Sequence, residues 1–222
     1  MNVLVVAAHP DDEVLGCGGT LARHRDRGDK IAWLIVTRVT TEAGFTEQRV
    51  ASRAEEIKTI AQRLGGARVF QLDYPTMSLH SGSLPALVPD VSRVFNEFQP
   101  ECVYVMNRSD AHTDHGICFR AVASCTKSFR YPFLKRVLMY ECLSETEFAL
   151  PLPENVFLPN YYVDISAYLE EKCSLMEVYA SELGEHPFPR SLDNIKALAH
   201  LRGAVAGVAY AEAFQLLKYV WD

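Results

Sequence analysis

The sequence predicts an α/β fold, in which a doubly wound and mostly parallel sheet carries helices on both faces. Two patterns predict it. The continuous apolar run at 3–8 is typical of a strand buried on both faces, and strand-like runs then alternate with helical segments up to about residue 140. A third observation concerns the C-terminal part, where five prolines between positions 151 and 189 interrupt the pattern. A C-terminal helical elaboration is expected there, with the whole chain (1–222) forming one domain.

The individual elements follow from apolar periodicity and from helix-ending residues. Strands are predicted at 3–8, 31–37, 67–72, 102–106 and 136–140, where short apolar runs occur. Helices are predicted from the turn after the first strand to about residue 27, then at 46–64, 89–98, 112–127, 165–183 and 192–205. Two glycines end the helix at 46–64, and Pro100 follows the helix at 89–98. The tail at 214–220 is predicted to be a helix end or an edge strand.

Composition excludes several classes of partner. The formal net charge is −6 and no basic run stands out, so nucleic acid is not an expected partner. The six cysteines include no C-x-x-C pair, which predicts reduced and mostly buried thiols. No apolar run approaches the ~20 residues of a membrane span, and the first residues lack the features of a signal peptide. A cytoplasmic location is therefore predicted.

The first candidate site is the segment His9-Pro10-Asp11-Asp12-Glu13, directly after the first strand. Ligands of open α/β sheets bind at the carboxyl ends of strands, so this turn lies where a site is expected. One imidazole and three carboxylates suit a divalent cation, with one carboxylate left to act on water. The alternative is a polar turn in which an Asp caps the following helix, but a cap needs only one acid.

The second candidate site is Asp110-Ala111-His112-Thr113-Asp114-His115, which follows the fourth predicted strand. The two histidines are three residues apart, so at a helix start they face the same side. Asp114 can orient a neighbouring histidine through a hydrogen bond. The alternative is an ordinary helix N-terminus, where the helix dipole favours acidic residues. That alternative accounts for the aspartates but not for the two histidines. Three protein ligands with one open position is the arrangement of a catalytic zinc.

The two clusters together resemble the motifs of the LmbE-like (PIG-L) zinc-dependent N-acetyl-sugar deacetylases. The segment from Ala8 to Glu13, with the glycines that follow, is similar to the opening motif of that family, and His112-Thr113-Asp114-His115 is similar to its H-x-D-H motif. The resemblance continues along nearly the whole chain, through Glu42-Ala43-Gly44, Arg53-Ala54-Glu55-Glu56 and Tyr210-Ala211-Glu212-Ala213-Phe214.

The resemblance implies a Rossmann-like fold, a hydrolytic N-deacetylase and one metal ion. The implied metal ligands are His9, Asp12 and His115. Asp11 matches the general base, and His112 matches the residue that stabilises the tetrahedral intermediate. Zinc is the implied metal, although the same ligands also suit Fe²⁺ or Co²⁺. A small N-acetylglucosamine-type conjugate is the implied substrate, and a homo-oligomer is a possible assembly.

Substrate contacts are less defined by the sequence. Arg38, Arg53 and Arg190 are candidates for binding sugar hydroxyls or a phosphate, and the alternative for each is a structural or surface arginine. Asp114 is a candidate for holding a catalytic histidine in its tautomer. The loop 37–44 is longer than the T-R-G-E-x-G of many family members, and Ala111 stands where Arg or Pro is frequent, so the substrate itself is not predicted.

Other functions remain as alternatives. The first is a metal-dependent hydrolase of a non-sugar amide or of a phosphoester, and the second is a metal-binding module without catalysis. The third is a nucleotide-binding domain, suggested by the glycines at 16, 18 and 19. That third hypothesis is weakened because Leu21 replaces the last glycine of G-x-G-x-x-G and because acids are poor neighbours for a pyrophosphate.

Overall fold

The computed structural model describes residues 1–221, and its strands form one sheet. The strands are β1 (Asn2–Ala7), β2 (Lys30–Arg38), β3 (Arg68–Pro75), β4 (Cys102–Met106), β5 (Arg136–Tyr140), β6 (Tyr161–Asp164) and β7 (Ala211–Tyr219). Their order in the sheet is β3-β2-β1-β4-β5-β7-β6. Strands β1 to β5 are parallel, whereas β7 is antiparallel to both of its neighbours. The predicted mostly parallel α/β sheet is confirmed.

Helices cover the sheet as predicted, with differences at their ends. They are α1 (Asp12–Asp26), α2 (Glu47–Arg63), α3 (Leu84–Phe98), α4 (Thr113–Ser124), α5 (Leu169–Val178) and α6 (Leu192–Ala206). Helix α3 begins five residues before its predicted start at Pro89, because its buried face already includes Leu87. Helix α5 is shorter than predicted, because a separate 3₁₀ turn at Ala180–Glu182 follows it.

The C-terminal strand corrects the sequence prediction. The tail was expected to be a helix end or an edge strand, but β7 lies inside the sheet between β5 and β6. The edge is the four-residue β6, which was not predicted because it is short and only partly buried. The buried Glu212 near the start of β7 interrupts the apolar pattern, so the first residues of that strand carry no strand signal.

The connections place a crevice between β1 and β4. From β1 the chain adds β2 and β3 on one side, and β4 then continues the sheet on the other side. This reversal is the topological switch point at which α/β sheets bind their ligands. Because β1 and β4 are parallel neighbours, the segments that leave their carboxyl ends lie side by side.

A buried ion pair ties α1 to the C-terminal part of the chain. Lys172 Nζ lies 2.6 Å from a carboxylate oxygen of Glu212 and donates to the Leu15 carbonyl at 2.8 Å. The same carboxylate accepts the backbone N–H groups of Gly19 and Thr20, at 3.0 and 2.7 Å. Each charged group therefore has several partners, as a buried ion pair requires.

The glycines of α1 are needed for helix packing. A Cβ atom at Gly16 would lie 2.2 Å from the Tyr140 ring, and one at Gly19 would lie 2.8 Å from Ile165. Both residues are inside α1, not in a loop before it. The nucleotide-binding hypothesis loses its main support, because these glycines allow close contact with β5 and with the segment before α5.

The core contains all six cysteines, which are buried and not paired in disulfides. Their burial agrees with the prediction of mostly buried thiols. Among residues 1–221, no helix combines the length and the apolar character needed to cross a bilayer.

We expect Glu212→Ala to lower the free energy of unfolding by about 3–5 kcal/mol, because Lys172 would keep a buried charge without its partner. Urea denaturation followed by circular dichroism measures the effect. The double variant Glu212→Ala/Lys172→Met removes both charges and should recover part of the loss. A single variant as stable as the wild type would show that the pair does not stabilise α1.

Candidate active site

The two predicted clusters meet at the crevice between β1 and β4. His9 and Asp11 lie in the turn after β1, and Asp12 is the first residue of α1. His112 is the N-cap of α4, and His115 lies in the first turn of that helix. The His9 ring centroid is 4.3 Å from that of His112 and 5.6 Å from that of His115. The fold thus brings together residues about 100 positions apart in the sequence.

The three predicted metal ligands form a compact group. The candidate ligand atoms of His9, Asp12 and His115 all lie within 4.8 Å of one another. His115 Nε2 is 3.3 Å from Asp12 Oδ1, and His9 Nδ1 is 3.8 Å from Asp12 Oδ2. Although burial favours a neutral carboxyl, the neighbouring His115 and His9 lower the pKa of Asp12. Asp12 is therefore an anion available to a cation.

The His115 ring is oriented as a metal ligand would be. Its Nδ1 is bonded to Asp110 Oδ2 at 2.8 Å, and Asp110 Oδ1 accepts from Asn107 and Thr146. The Nε2 atom is buried and forms no hydrogen bond, although it lies 3.3 Å from Asp12 Oδ1. A buried polar atom without a partner requires an explanation. A metal ion facing Nε2 supplies one, and the pair of Asp110 and His115 matches the carboxylate–histidine arrangement of metal sites.

A second group of possible ligands contains His9, His112 and Asp114, but it suits a metal less well. The Asp114 carboxylate already has three partners. It is bonded to His9 Nε2 at 3.0 Å, and it accepts the backbone N–H groups of Met77 and Leu79 at 2.9 and 3.0 Å. Asp114 therefore orients His9, leaving His9 Nδ1 to face Asp12, and it also holds the loop 77–79 against the site.

Asp11 has an unusual backbone conformation. Its φ is 137° and its ψ is −29°, outside the regions that L-residues ordinarily adopt. It occupies the N-cap of α1, yet its side chain does not cap the helix. The carboxylate instead lines the cavity beside the metal ligands. Burial, together with the nearby Asp12 and Glu182, raises the pKa of Asp11 well above its usual value. Strained residues of this kind concentrate at functional sites.

Two residues not included among the predicted site residues hold this turn. The Asp11 backbone N–H donates to Glu13 Oε2 at 3.1 Å, and the Tyr179 hydroxyl donates to Glu13 Oε1 at 2.7 Å. Burial raises the pKa of Glu13 to about 8, although these two hydrogen bonds lower it. Glu13 belongs to the first cluster, 9–13, so the sequence already places it next to the site. Tyr179 comes from the end of α5, and nothing in the sequence linked it to the site.

His112 is placed as a neutral hydrogen-bond donor. Its Nδ1 accepts the backbone N–H of Asp114 at 3.2 Å, which places the ring proton on Nε2. Burial, with His9 and His115 close by, lowers the pKa of His112 to about 4. The structure favours the neutral ring with an Nε2–H group.

The predicted substrate-binding arginines all line the cavity that contains these residues, which has a volume of about 360 Å³. Arg53 is buried, donates to the Pro10 carbonyl at 2.6 Å and pairs with Glu182. Arg190 donates to Ser144 Oγ at 2.6 Å and to the Glu182 carbonyl at 2.9 Å. Arg38 is more accessible, with 48% of its side chain exposed, and lies 3.2 Å from Asp73.

These contacts divide the arginines by position. Arg53 supports the turn that carries His9 and Asp11, whereas the side chains of Arg38 and Arg190 are more exposed. Arg49, which was not predicted, also lines the cavity and pairs with Glu182. Glu182 is the common partner of Arg49, Arg53 and Arg190, and it lies in the 3₁₀ turn after α5.

We expect Asp110→Asn to weaken metal binding by about 10- to 100-fold, because His115 would lose the charged partner that fixes its ring. Competition with a chromophoric chelator measures the affinity. Asp90→Asn is a matched control, since Asp90 accepts from Tyr74 at a distance from the site. Unchanged metal affinity in Asp110→Asn would contradict the role given to this carboxylate.

Comparisons with known proteins agree with this geometry. The family model described as PIG-L: GlcNAc-PI de-N-acetylase matches residues 4–126, which include both clusters. Diacetylchitobiose deacetylase of Thermococcus kodakarensis is 24% identical over 227 residues, covering 99% of this chain and 84% of the relative.

Solved structures show the same fold. N,N'-diacetylchitobiose deacetylase from Pyrococcus horikoshii superposes with a TM-score of 0.76 at 22% identity, over 98% of this chain and 84% of the other. GalB, the 4-carboxy-2-hydroxymuconate hydratase of Pseudomonas putida, superposes with a TM-score of 0.71 at 23% identity, over 100% of this chain and 98% of the other. The fold therefore occurs with different reactions, and the family assignment depends on the sequence match. Since that match spans more than half of the chain and contains both clusters, the chain belongs to the PIG-L family of de-N-acetylases.

Proposed function

We propose that this protein is a metal-dependent N-deacetylase that hydrolyses the acetamide of an N-acetylated amino sugar. One observation carries the proposal. The Nε2 atom of His115, which has no hydrogen-bond partner, lies close to Asp12 and His9, and Asp11, whose side chain does not cap α1, lines the cavity beside them. This combination offers a place for a cation and, next to it, a base. Family membership supports the reaction class, and deacetylation of diacetylchitobiose by the Thermococcus relative supports an N-acetyl sugar as substrate.

His9, Asp12 and His115 would hold the metal, which we propose to be zinc. When bound, zinc acts as a Lewis acid toward oxygen and makes water a better nucleophile near neutral pH. Fe²⁺ and Co²⁺ have the same ligand preferences. Asp114 fixes the imidazole of His9, and Asp110 fixes that of His115. Each is hydrogen-bonded to the ring nitrogen that faces away from Asp12.

Asp11 is the proposed general base. Its side chain makes no capping hydrogen bond to α1 and the residue lines the cavity, so the carboxylate is available to a water molecule. Asp11 takes a proton as the water oxygen bonds to the acetyl carbon. The C–N bond then breaks, the proton passes from Asp11 to the amine nitrogen, and the products are acetate and the free amino sugar.

His112 is the proposed donor to the developing oxyanion. Its Nδ1 accepts the Asp114 backbone N–H, so its Nε2–H is the group left for the substrate. A fixed donor of this kind stabilises negative charge on the carbonyl oxygen without reorganisation. Because the ring is neutral, His112 contributes a hydrogen bond and not a full positive charge.

The remaining cavity is proposed to hold the sugar. A volume of about 360 Å³ falls within the range of small-molecule sites. Arg38 and Arg190 are the proposed contacts for sugar hydroxyls or for an anionic substituent. Arg53 is proposed to support the cavity wall and not to contact the substrate, because it is buried as well as hydrogen-bonded to Pro10 and Glu182. Arg190 also has protein partners but remains partly exposed. A cytoplasmic location and a homo-oligomeric state remain predictions of the sequence.

We expect Asp11→Asn to bind metal as the wild type does and to lose about 10²-fold or more in kcat, because the amide cannot take the proton. Acetate release from a panel of N-acetylglucosamine conjugates measures turnover, and N-acetyl amino acids in the same panel test a non-sugar amide. Asp193→Asn, an exposed residue of α6, is the matched control. Near wild-type turnover in Asp11→Asn would remove Asp11 from this role.

A further inference from the structure

A second cavity lies at the opposite end of α1 from the catalytic site. It has a volume of about 430 Å³ and is bordered by the end of α1, by residues of β4 and β5, and by the edge strand β6. None of its lining residues also lines the catalytic cavity. Since α1 has 15 residues, its ends are separated by roughly 22 Å. The second cavity is therefore a separate place on the protein.

Positive charge is concentrated in this cavity. Arg23, Arg27 and Arg136 line it, and Asp164 is the one carboxylate residue among its lining residues. This excess is notable in a protein whose formal net charge is −6. Arg23 and Arg27 are four residues apart at the end of α1, so they lie on the same side of the helix. Arg136 begins β5 and faces them from the sheet.

Carboxylates compensate the charge of these arginines only in part. Arg23 donates to the backbone carbonyl of Asp164 at 2.8 Å, and Arg136 donates to the Tyr161 hydroxyl at 3.3 Å. Within residues 1–221, neither guanidinium has a carboxylate oxygen within ion-pair distance. Arg27 lies 3.9 Å from Asp29, but Asp29 is already bonded to the amino terminus and to His24. The cavity therefore keeps unbalanced positive charge.

A buried hydroxyl in the same wall has no partner. Thr20 is 1% exposed, and its Oγ1 forms no hydrogen bond. In the same wall, the Tyr104 hydroxyl is hydrogen-bonded to His24 Nε2 at 2.9 Å, and His24 Nδ1 is hydrogen-bonded to Asp29 at 2.7 Å, so these polar groups already have partners. Buried polar groups without partners are rare in native proteins, and a ligand with acceptor oxygens would satisfy Thr20.

We propose that this cavity binds a phosphate dianion, either free or as the phosphomonoester of a small molecule. Arginine side chains bind phosphate oxygens through paired N–H groups, and three of them offset the charge of a dianion. The Thr20 hydroxyl would donate to one of its oxygens. Tyr161 and Tyr162 stand at the same wall and would contact the organic part of an ester. This site does not depend on the proposed deacetylase reaction.

The test is isothermal titration of the metal-loaded protein with inorganic phosphate. We expect one site in the wild type and about tenfold weaker binding in Arg23→Gln and in Arg136→Gln, because each loses a charged donor. Thr20→Val, which has nearly the same shape, should also bind more weakly while keeping the fold. Arg93→Gln is the matched control, because Arg93 is an exposed arginine of α3 outside the cavity.

The variant His115→Ala tests whether phosphate binds at the catalytic site instead. Phosphate binding should persist in this variant, because His115 lies outside the second cavity. A phosphomonoester that binds more tightly than inorganic phosphate would identify the ester as the preferred form. The proposal is overturned if the wild type shows no binding at millimolar phosphate, if chloride competes as well as phosphate does, or if only His115→Ala abolishes binding.

Discussion

The hydrogen bond between His115 and Asp110 is the interaction on which the site depends. It engages Nδ1 of a fully buried ring and turns Nε2 toward Asp12 and His9, where Nε2 forms no hydrogen bond. Asp12 and Asp114, the two acids here whose pKa values are lowered, place carboxylates beside these imidazoles. Concentrated negative charge in a buried place is unfavourable unless a cation balances it. A divalent metal would provide that balance, with His9, Asp12 and His115 as its proposed ligands.

Backbone strain positions the proposed base of this site. An aspartate at a helix N-cap ordinarily bonds to the first turn, which would engage its carboxylate. At a φ of 137°, Asp11 turns away from α1 and presents its carboxylate to the cavity. Glu13 and the Pro10 carbonyl, held by Tyr179 and Arg53, fix the turn in this conformation. Distant parts of the chain, α2 and α5, thus determine the position of one catalytic candidate.

The sequence predicted the parts of this protein that local patterns encode. The buried strands and the clusters at 9–13 and 110–115 were visible because apolar runs and ligand-type residues stand close together in the chain. The roles of Tyr179, Glu182 and Glu212 were not visible, because each acts through a tertiary contact with a distant segment. Strand β7 was misplaced for the same reason, since its buried Glu212 is balanced by Lys172 and not by neighbours in sequence.

The most direct test of a metal centre at His9, Asp12 and His115 is the metal content of the purified protein. Plasma mass spectrometry of the wild type and of His115→Ala, prepared side by side, measures it. We expect about one zinc, iron or cobalt ion per wild-type chain and a large loss in the variant, with the fold retained by circular dichroism. A wild type that binds no metal even after reconstitution with zinc would contradict the account.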